Sequence, residues 1–167
     1  MLPASRPRPL HVATIGLAAA TLTVLTGCGT VTVPAGPEAT DPACATIVQN
    51  APETMLGLDR RETTSQGTVA WGSGEDTIVL RCGVTPPGPT TDACTRLEDQ
   101  RGLSVDWIVR EEDGVVTFTT YGRSPAVDLT VPRSVAPDQP SAAALELAGL
   151  IAPLPVSRTC TGPGDTA

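Results

Sequence analysis

Between residues 66 and 132 the chain falls five times into an apolar–polar alternation, and that period of two constrains the fold more than any other feature. The stretches are QGTVAW, TIVLRCGV, LSVDWIVR, VVTFTTYG and AVDLTVP. Within them Val105, Trp107 and Val109 share one face, with Asp106 and Arg110 on the other. Val116 and Phe118 form a second such set, and Val127, Leu129 and Val131 a third, closed by Pro132. Alternation of this kind belongs to strands with one buried face. GSGED is a turn-rich link between the first pair, and the Asp-Gly of EEDG is a hairpin signal between the second. Short links between strands impose antiparallel pairing.

Helical signals flank the strands. Asp41 is a good N-cap and Pro42 suits the first helical position. Cys44, Ile47, Val48 and Ala51 then repeat at helical spacing, and Pro52 ends the helix. PETMLG is expected to add one more turn, stopped by Gly57. Near the end, DQPSAAALELAGLIAP offers Asp138 or Gln139 as cap and Pro140 at the first position. Leu147, Leu150 and Ile151 make its stripe, and Pro153 stops it. The sequence thus predicts an α+β domain over residues 41–160, with residues 161–167 a disordered tail. Its mainly antiparallel sheet has about five strands, and an N-terminal and a C-terminal helix pack on one face.

The first residues read differently. MLPASRPRPLH carries Arg6 and Arg8 and no acid, and VATIGLAAATLTVLT carries no charge. A basic segment, an apolar run of about 15 residues and small residues before a cut describe a secretory signal, too short to span a bilayer. Pro7 separates the two arginines, so the twin-arginine pair is absent and the general secretion route is expected. The LTGC of Leu25–Cys28 resembles the bacterial lipobox. That resemblance implies a signal peptide over residues 1–27, cleavage before Cys28, and a lipidated cysteine. Two acyl chains, palmitate among them, hold a protein stably on a membrane where one does not. Residues 29–40, GTVTVPAGPEAT, lack a helical period and are expected to be a flexible tether.

With Cys28 reserved for lipid, Cys44, Cys82, Cys94 and Cys160 form an even set. Four cysteines in an exported domain predict two disulfides, with three possible connectivities. The expected pairs are Cys82–Cys94, across the Pro-rich loop GVTPPGPTTDA, and Cys44–Cys160, tying the first helix to the tail. No CxxC spacing supports a zinc or redox site, so neither metal nor cofactor is expected. Only four aromatic residues are present, so such staples compensate for a core with little area per residue.

Charge and chemistry narrow the function. All 11 basic residues are Arg; removing Arg6 and Arg8 leaves nine against 18 acids, a net charge of −9. A surface of that sign repels phosphate backbones, so nucleic acid is not an expected partner. His11, the only histidine, lies in the leader, which removes Ser-His-Asp and Cys-His chemistry from the mature chain. The absence of Lys removes lysine nucleophiles. Carboxylate pairs remain, in the hairpin turns at Glu75 and Asp76 and at Glu111, Glu112 and Asp113. A glycan hydrolase uses two such acids, one with a raised pKa, but turns are exposed and raised values need burial. An enzyme is therefore not expected. Arg60, Arg61, Arg81 and Arg123 are candidates for binding a small anionic ligand if they converge, with ordinary ion pairing the alternative. Trp71 is a candidate ligand platform, with core packing the alternative.

The phrases DPACA, GLDRR, AWGSGEDTIVLRCGV, VDWIVRE and FTTYGRSPAVDLTVP together resemble an actinobacterial lipoprotein family, domain of unknown function 3515, over residues 41–152. The resemblance implies an extracytoplasmic protein of the cell envelope, lipid-anchored to the cell membrane, and brings no catalytic residues. The expected function is a non-catalytic binding or accessory module whose partner is the membrane together with an envelope protein or small anion. The alternatives are a carboxylate-dependent cell-wall hydrolase or a purely structural assembly factor.

Overall fold

The computed structural model describes residues 29–161. The leader, the lipidated cysteine expected at Cys28 and nearly all of the expected tail lie outside the described residues.

The order of elements is α1 (Pro42–Asn50), β1 (Thr54–Met55), β2 (Leu58–Arg61), β3 (Thr68–Ser73), β4 (Asp76–Val84), β5 (Cys94–Glu98), β6 (Ser104–Glu112), β7 (Val115–Thr120), β8 (Ala126–Pro132), α2 (Ser141–Glu146) and α3 (Ala148–Ile151). The strands form one eight-stranded sheet in the order β1-β2-β3-β4-β8-β7-β6-β5. Every pair is antiparallel. The α+β class and the antiparallel sheet are as expected, but among the described residues the sheet has eight strands rather than about five, and there are three helices.

The extra strands are β1, β2 and β5. PETMLG is a hairpin and not a helical turn. Leu56 and Gly57 both take positive φ, 48° and 81°, between Met55 and Leu58, the geometry of a tight two-residue hairpin turn. Asp113 and Gly114, at 50° and 75°, turn β6 into β7 in the same way, as their sequence foretold. The C-terminal helix breaks at Leu147 into α2 and α3, and Pro140 sits outside α2 with no side-chain cap.

One sheet face is covered by the helices. Trp71, Ile78, Leu80, Cys82, Trp107, Phe118, Leu129 and Val131 project there and, with Ile47, Leu147 and Ile151, form the core. Trp107 meets Phe118 edge to face, with ring centroids 6.1 Å apart. The other face carries no helix among the described residues. Its central strands present Val79, Arg81, Thr117, Thr119, Asp128 and Thr130, all half-buried.

Residues 31–39 are not a loose tether. Val31 bridges to Thr63, its N–H bonding to the Glu62 carbonyl at 2.8 Å. Val33 is buried and donates its N–H to Thr64 Oγ1, and Ala39 is buried too. The Glu38 N–H bonds to the Gly83 carbonyl at 2.8 Å. Gly83 has φ of 78°, and a Cβ there would lie 2.3 Å from the Glu38 carbonyl carbon, so only glycine lets the segment close on β4. The expected boundary at residue 41 therefore moves to about residue 31, because backbone bonds hold a segment that has no apolar period.

Both disulfides are present with exchanged partners: Cys44–Cys82 and Cys94–Cys160, replacing the expected Cys82–Cys94 and Cys44–Cys160. Topology explains the correction. Three strands, β8, β7 and β6, lie between β4 and β5, so Cys82 and Cys94 are about 19 Å apart across the sheet. A bridge tolerates a Cα separation of about 7 Å at most. The two residues also face opposite sides: Cys82 points into the helix-covered core with Leu80, while Cys94 lies opposite Ile108 on the other face. Cys44, fully buried on α1, sits directly over Cys82, with 5.4 Å between Cα atoms.

Candidate functional site

The arginines singled out in the sequence do not converge. Two of them are structural struts. Arg60 reaches from β2 to the C-terminal end of α1, donating to the Val48 and Ala51 carbonyls at 2.8 and 3.0 Å. Those carbonyls have no partner within the helix, and a cation suits that end of the dipole. Arg123, after β7, is 7 % exposed and donates to the Ala152, Leu154 and Ser104 carbonyls at 2.7, 2.8 and 3.0 Å. It joins the end of α3 to the start of β6. Burial pulls its pKa below the ordinary value, and the nearby Asp106 charge works the other way. Trp71 is not a platform: it is fully buried, with its indole N–H bonded to the Pro52 carbonyl at 2.8 Å.

The other two arginines are under-used. The Nε atoms of Arg61 and Arg81 are buried and have no hydrogen-bond partner among the described residues. Arg81 has one ion pair, a loose contact of 4.0 Å with Asp128 directly across from it on β8. By contrast Arg96 forks onto Asp106 at 2.8 and 3.2 Å, Arg110 binds Asp92, and Arg133 binds Glu111 at 2.6 and 2.9 Å. In a chain with surplus acid, an arginine left without a close carboxylate stands out.

Arg61 and Arg60 line an edge cleft of about 270 Å³ between α1 and the β2–β3 loop, with Thr63, Ser65 and Gln66. Arg81 lines a larger cleft of about 550 Å³ on the helix-free face. Its floor is Arg81, Thr119, Asp128 and Arg110, and its wall is the Pro-rich loop at Pro86, Pro87 and Pro89. That loop links β4 to the far edge strand β5, so it must pass across the sheet, and proline stiffens it on the way. Thr119 donates its hydroxyl to Asp128 at 2.6 Å, orienting the carboxylate beside Arg81. At the loop's far end, hydrogen bonds from Thr90 and Arg110 hold the Asp92 carboxyl below its ordinary pKa. The volume falls in the range of small-molecule sites, and the polar groups converge from four strands and a loop. The sequence reading missed Arg110, Thr119 and Asp128. Their outward positions in the alternating stretches were visible, but their meeting depends on β8 inserting between β4 and β7.

The hairpin carboxylates lie elsewhere. The β3–β4 and β6–β7 turns are at the same end of the sheet but about three strand spacings, roughly 14 Å, apart. Glu75, Asp76, Glu111, Glu112 and Asp113 are exposed, and the hydrogen bond from Arg133 lowers the Glu111 pKa rather than raising it. Glycosidases hold their two carboxyls within about 5–9.5 Å.

Comparison with known proteins places the chain in a family. It matches the family described as Protein of unknown function (DUF3515) over residues 9–157, most of its length, and the chain belongs to that family. The match extends beyond the residues 41–152 that carry the sequence resemblance and takes in the docked N-terminal segment. The chain matches no curated protein and no solved structure.

Proposed function

We propose that this chain is a cell-envelope lipoprotein, held on the extracytoplasmic face of the membrane by Cys28. Its domain is a binding module without chemistry of its own. The ligand is a small anion taken up in the cleft over Arg81. The observation that carries this reading is Arg81 itself: a guanidinium in a cleft of ligand size, with a buried unpartnered Nε and only a 4.0 Å ion pair. Arginine presents five donors in a fork suited to carboxylate or phosphate. The LTGC motif supports the anchor. The spacing of the hairpin acids favours binding over carboxylate catalysis.

The test is thermal unfolding with acetate, succinate, N-acetylalanine and inorganic phosphate. An anion at about 100 times its Kd adds roughly 2.7 kcal/mol of stability. For a domain of this size that raises Tm by about 10 °C. The expected result is such a shift with at least one of these anions in the native protein and none in Arg81→Gln. No shift with any of them, or an equal shift in the variant, contradicts the reading.

A further inference from the structure

The charges around the Arg81 cleft balance. Arg81 and Asp128 lie directly opposite each other on β4 and β8. Arg110, also on the floor, donates through Nε and Nη2 to Asp92, and Asp92 is bonded to Thr90 of the wall. The other lining residues are uncharged. Two guanidinium groups and two carboxylates therefore leave the site with no net charge. A lone anion seated on Arg81 meets the carboxylate of Asp128 beside it, and like charges in such proximity cost affinity. A ligand that brings both signs of charge does not.

The two ion pairs differ in kind. Arg110 and Asp92 are hydrogen-bonded and satisfy each other. Arg81 and Asp128 are 4.0 Å apart, beyond hydrogen-bond length, with their side chains 32 % and 21 % exposed. The Asp128 Oδ1 accepts from Thr119 at 2.6 Å, which fixes the carboxylate, while Oδ2 has only the loose contact with Arg81 among the described residues. A cationic donor and an anionic acceptor thus stand side by side on one sheet face, each with bonding capacity left. Their complement is a carboxylate next to an ammonium, and an α-amino acid carries both on one carbon. Pro37, Pro86, Pro87 and Pro89 offer its side chain an apolar wall, and the balanced cleft has no partner for a further charge.

We infer that the anionic group bound over Arg81 is the carboxylate of an α-amino acid with an uncharged side chain, whose ammonium is held by Asp128. The inference rests on the anion-binding reading of Arg81 and specifies the ligand of that same site.

The experiment follows thermal unfolding of the full chain at rising concentrations of alanine and of propionate, which is alanine without its amine. The dependence of Tm on concentration yields each Kd. The expected result is that alanine binds about tenfold more tightly than propionate, the contribution of one hydrogen bond to a charged group. In Asp128→Asn that preference disappears: alanine weakens about tenfold, and propionate, freed of the neighbouring carboxylate, tightens. In Arg81→Gln neither ligand binds. Equal or tighter binding of propionate by the native protein, or a preference for alanine that persists in Asp128→Asn, overturns this inference and leaves the anion site standing. Binding of neither ligand by the native protein, or binding unchanged in Arg81→Gln, sinks the anion reading with it. The comparison of two ligands on the native protein needs no variant, and the Tm of each variant without ligand reports whether it folds.

Discussion

Replacing Arg123 with Met tests whether the arginines have been sorted correctly into struts and binding groups. The guanidinium is buried and donates three hydrogen bonds, to Ala152, Leu154 and Ser104. Each bond to a charged group contributes about 1.5–3 kcal/mol net, and a carbonyl left buried without a partner costs about 1–3 kcal/mol. Desolvating the charge works against these gains, and the carbonyls at the end of α3 regain some water, so the net loss is about 3–5 kcal/mol. At roughly 4 °C per kcal/mol that lowers Tm by about 12–20 °C. Lysine at 123 reaches one or two of the carbonyls and recovers part of the loss. Arg81→Met, which removes no hydrogen bond and only a loose half-exposed ion pair, shifts stability by less than about 1 kcal/mol. The assay is urea and thermal unfolding followed by fluorescence of Trp71 and Trp107, both fully buried. If Arg123→Met costs under 1 kcal/mol, or Arg81→Met costs as much as Arg123→Met, the sorting is wrong.

Two further outcomes are expected. Non-reducing peptide mapping finds Cys44–Cys82 and Cys94–Cys160, and mild reductant opens the second first, because Cys44 and Cys82 are fully buried while Cys94 and Cys160 are half-exposed; removing either bridge costs about 4 kcal/mol for closed loops of 38 and 66 residues. Burial pushes the Asp106 carboxyl up, but hydrogen bonds from Arg96 and the Cys160 N–H outweigh it and leave the pKa lowered. A depressed folded-state pKa means that Asp106 stabilises the fold above its unfolded value, near about 3.9, and that this stability is lost as pH falls through the lower folded value. Unfolding measured between neutral pH and pH 2 should therefore lose part of its acid dependence in Asp106→Asn.

What the sequence showed and hid has a common physical pattern. The first helix was legible because its signals are local: Asp41 caps Ala43 N–H at 2.7 Å and Pro42 starts the turn. The strands of the core were legible because their apolar faces alternate. LDRR was not, since β2 is polar and is made a strand by pairing Arg60 with Trp71 and Arg61 with Ala70 on β3. The same holds for residues 31–39, held through backbone groups that any sequence possesses. Disulfide partners were hidden because strand order, not spacing in the chain, decides which cysteines meet. The Arg81 cleft was half visible. Arg81 alternates with Leu80 and Cys82 in the sequence and so faces away from them, but Thr119 and Asp128 join it only through the β4–β8–β7 adjacency.

The proposed anchor underlies the location proposed for the domain, and the intact mass of the protein extracted from membranes tests it directly. The account predicts a mature chain that begins at Cys28, carries a diacylglyceryl group on that sulfur, and keeps its other four cysteines in two disulfides. A chain that begins elsewhere, or a Cys28 whose thiol is unmodified, contradicts it.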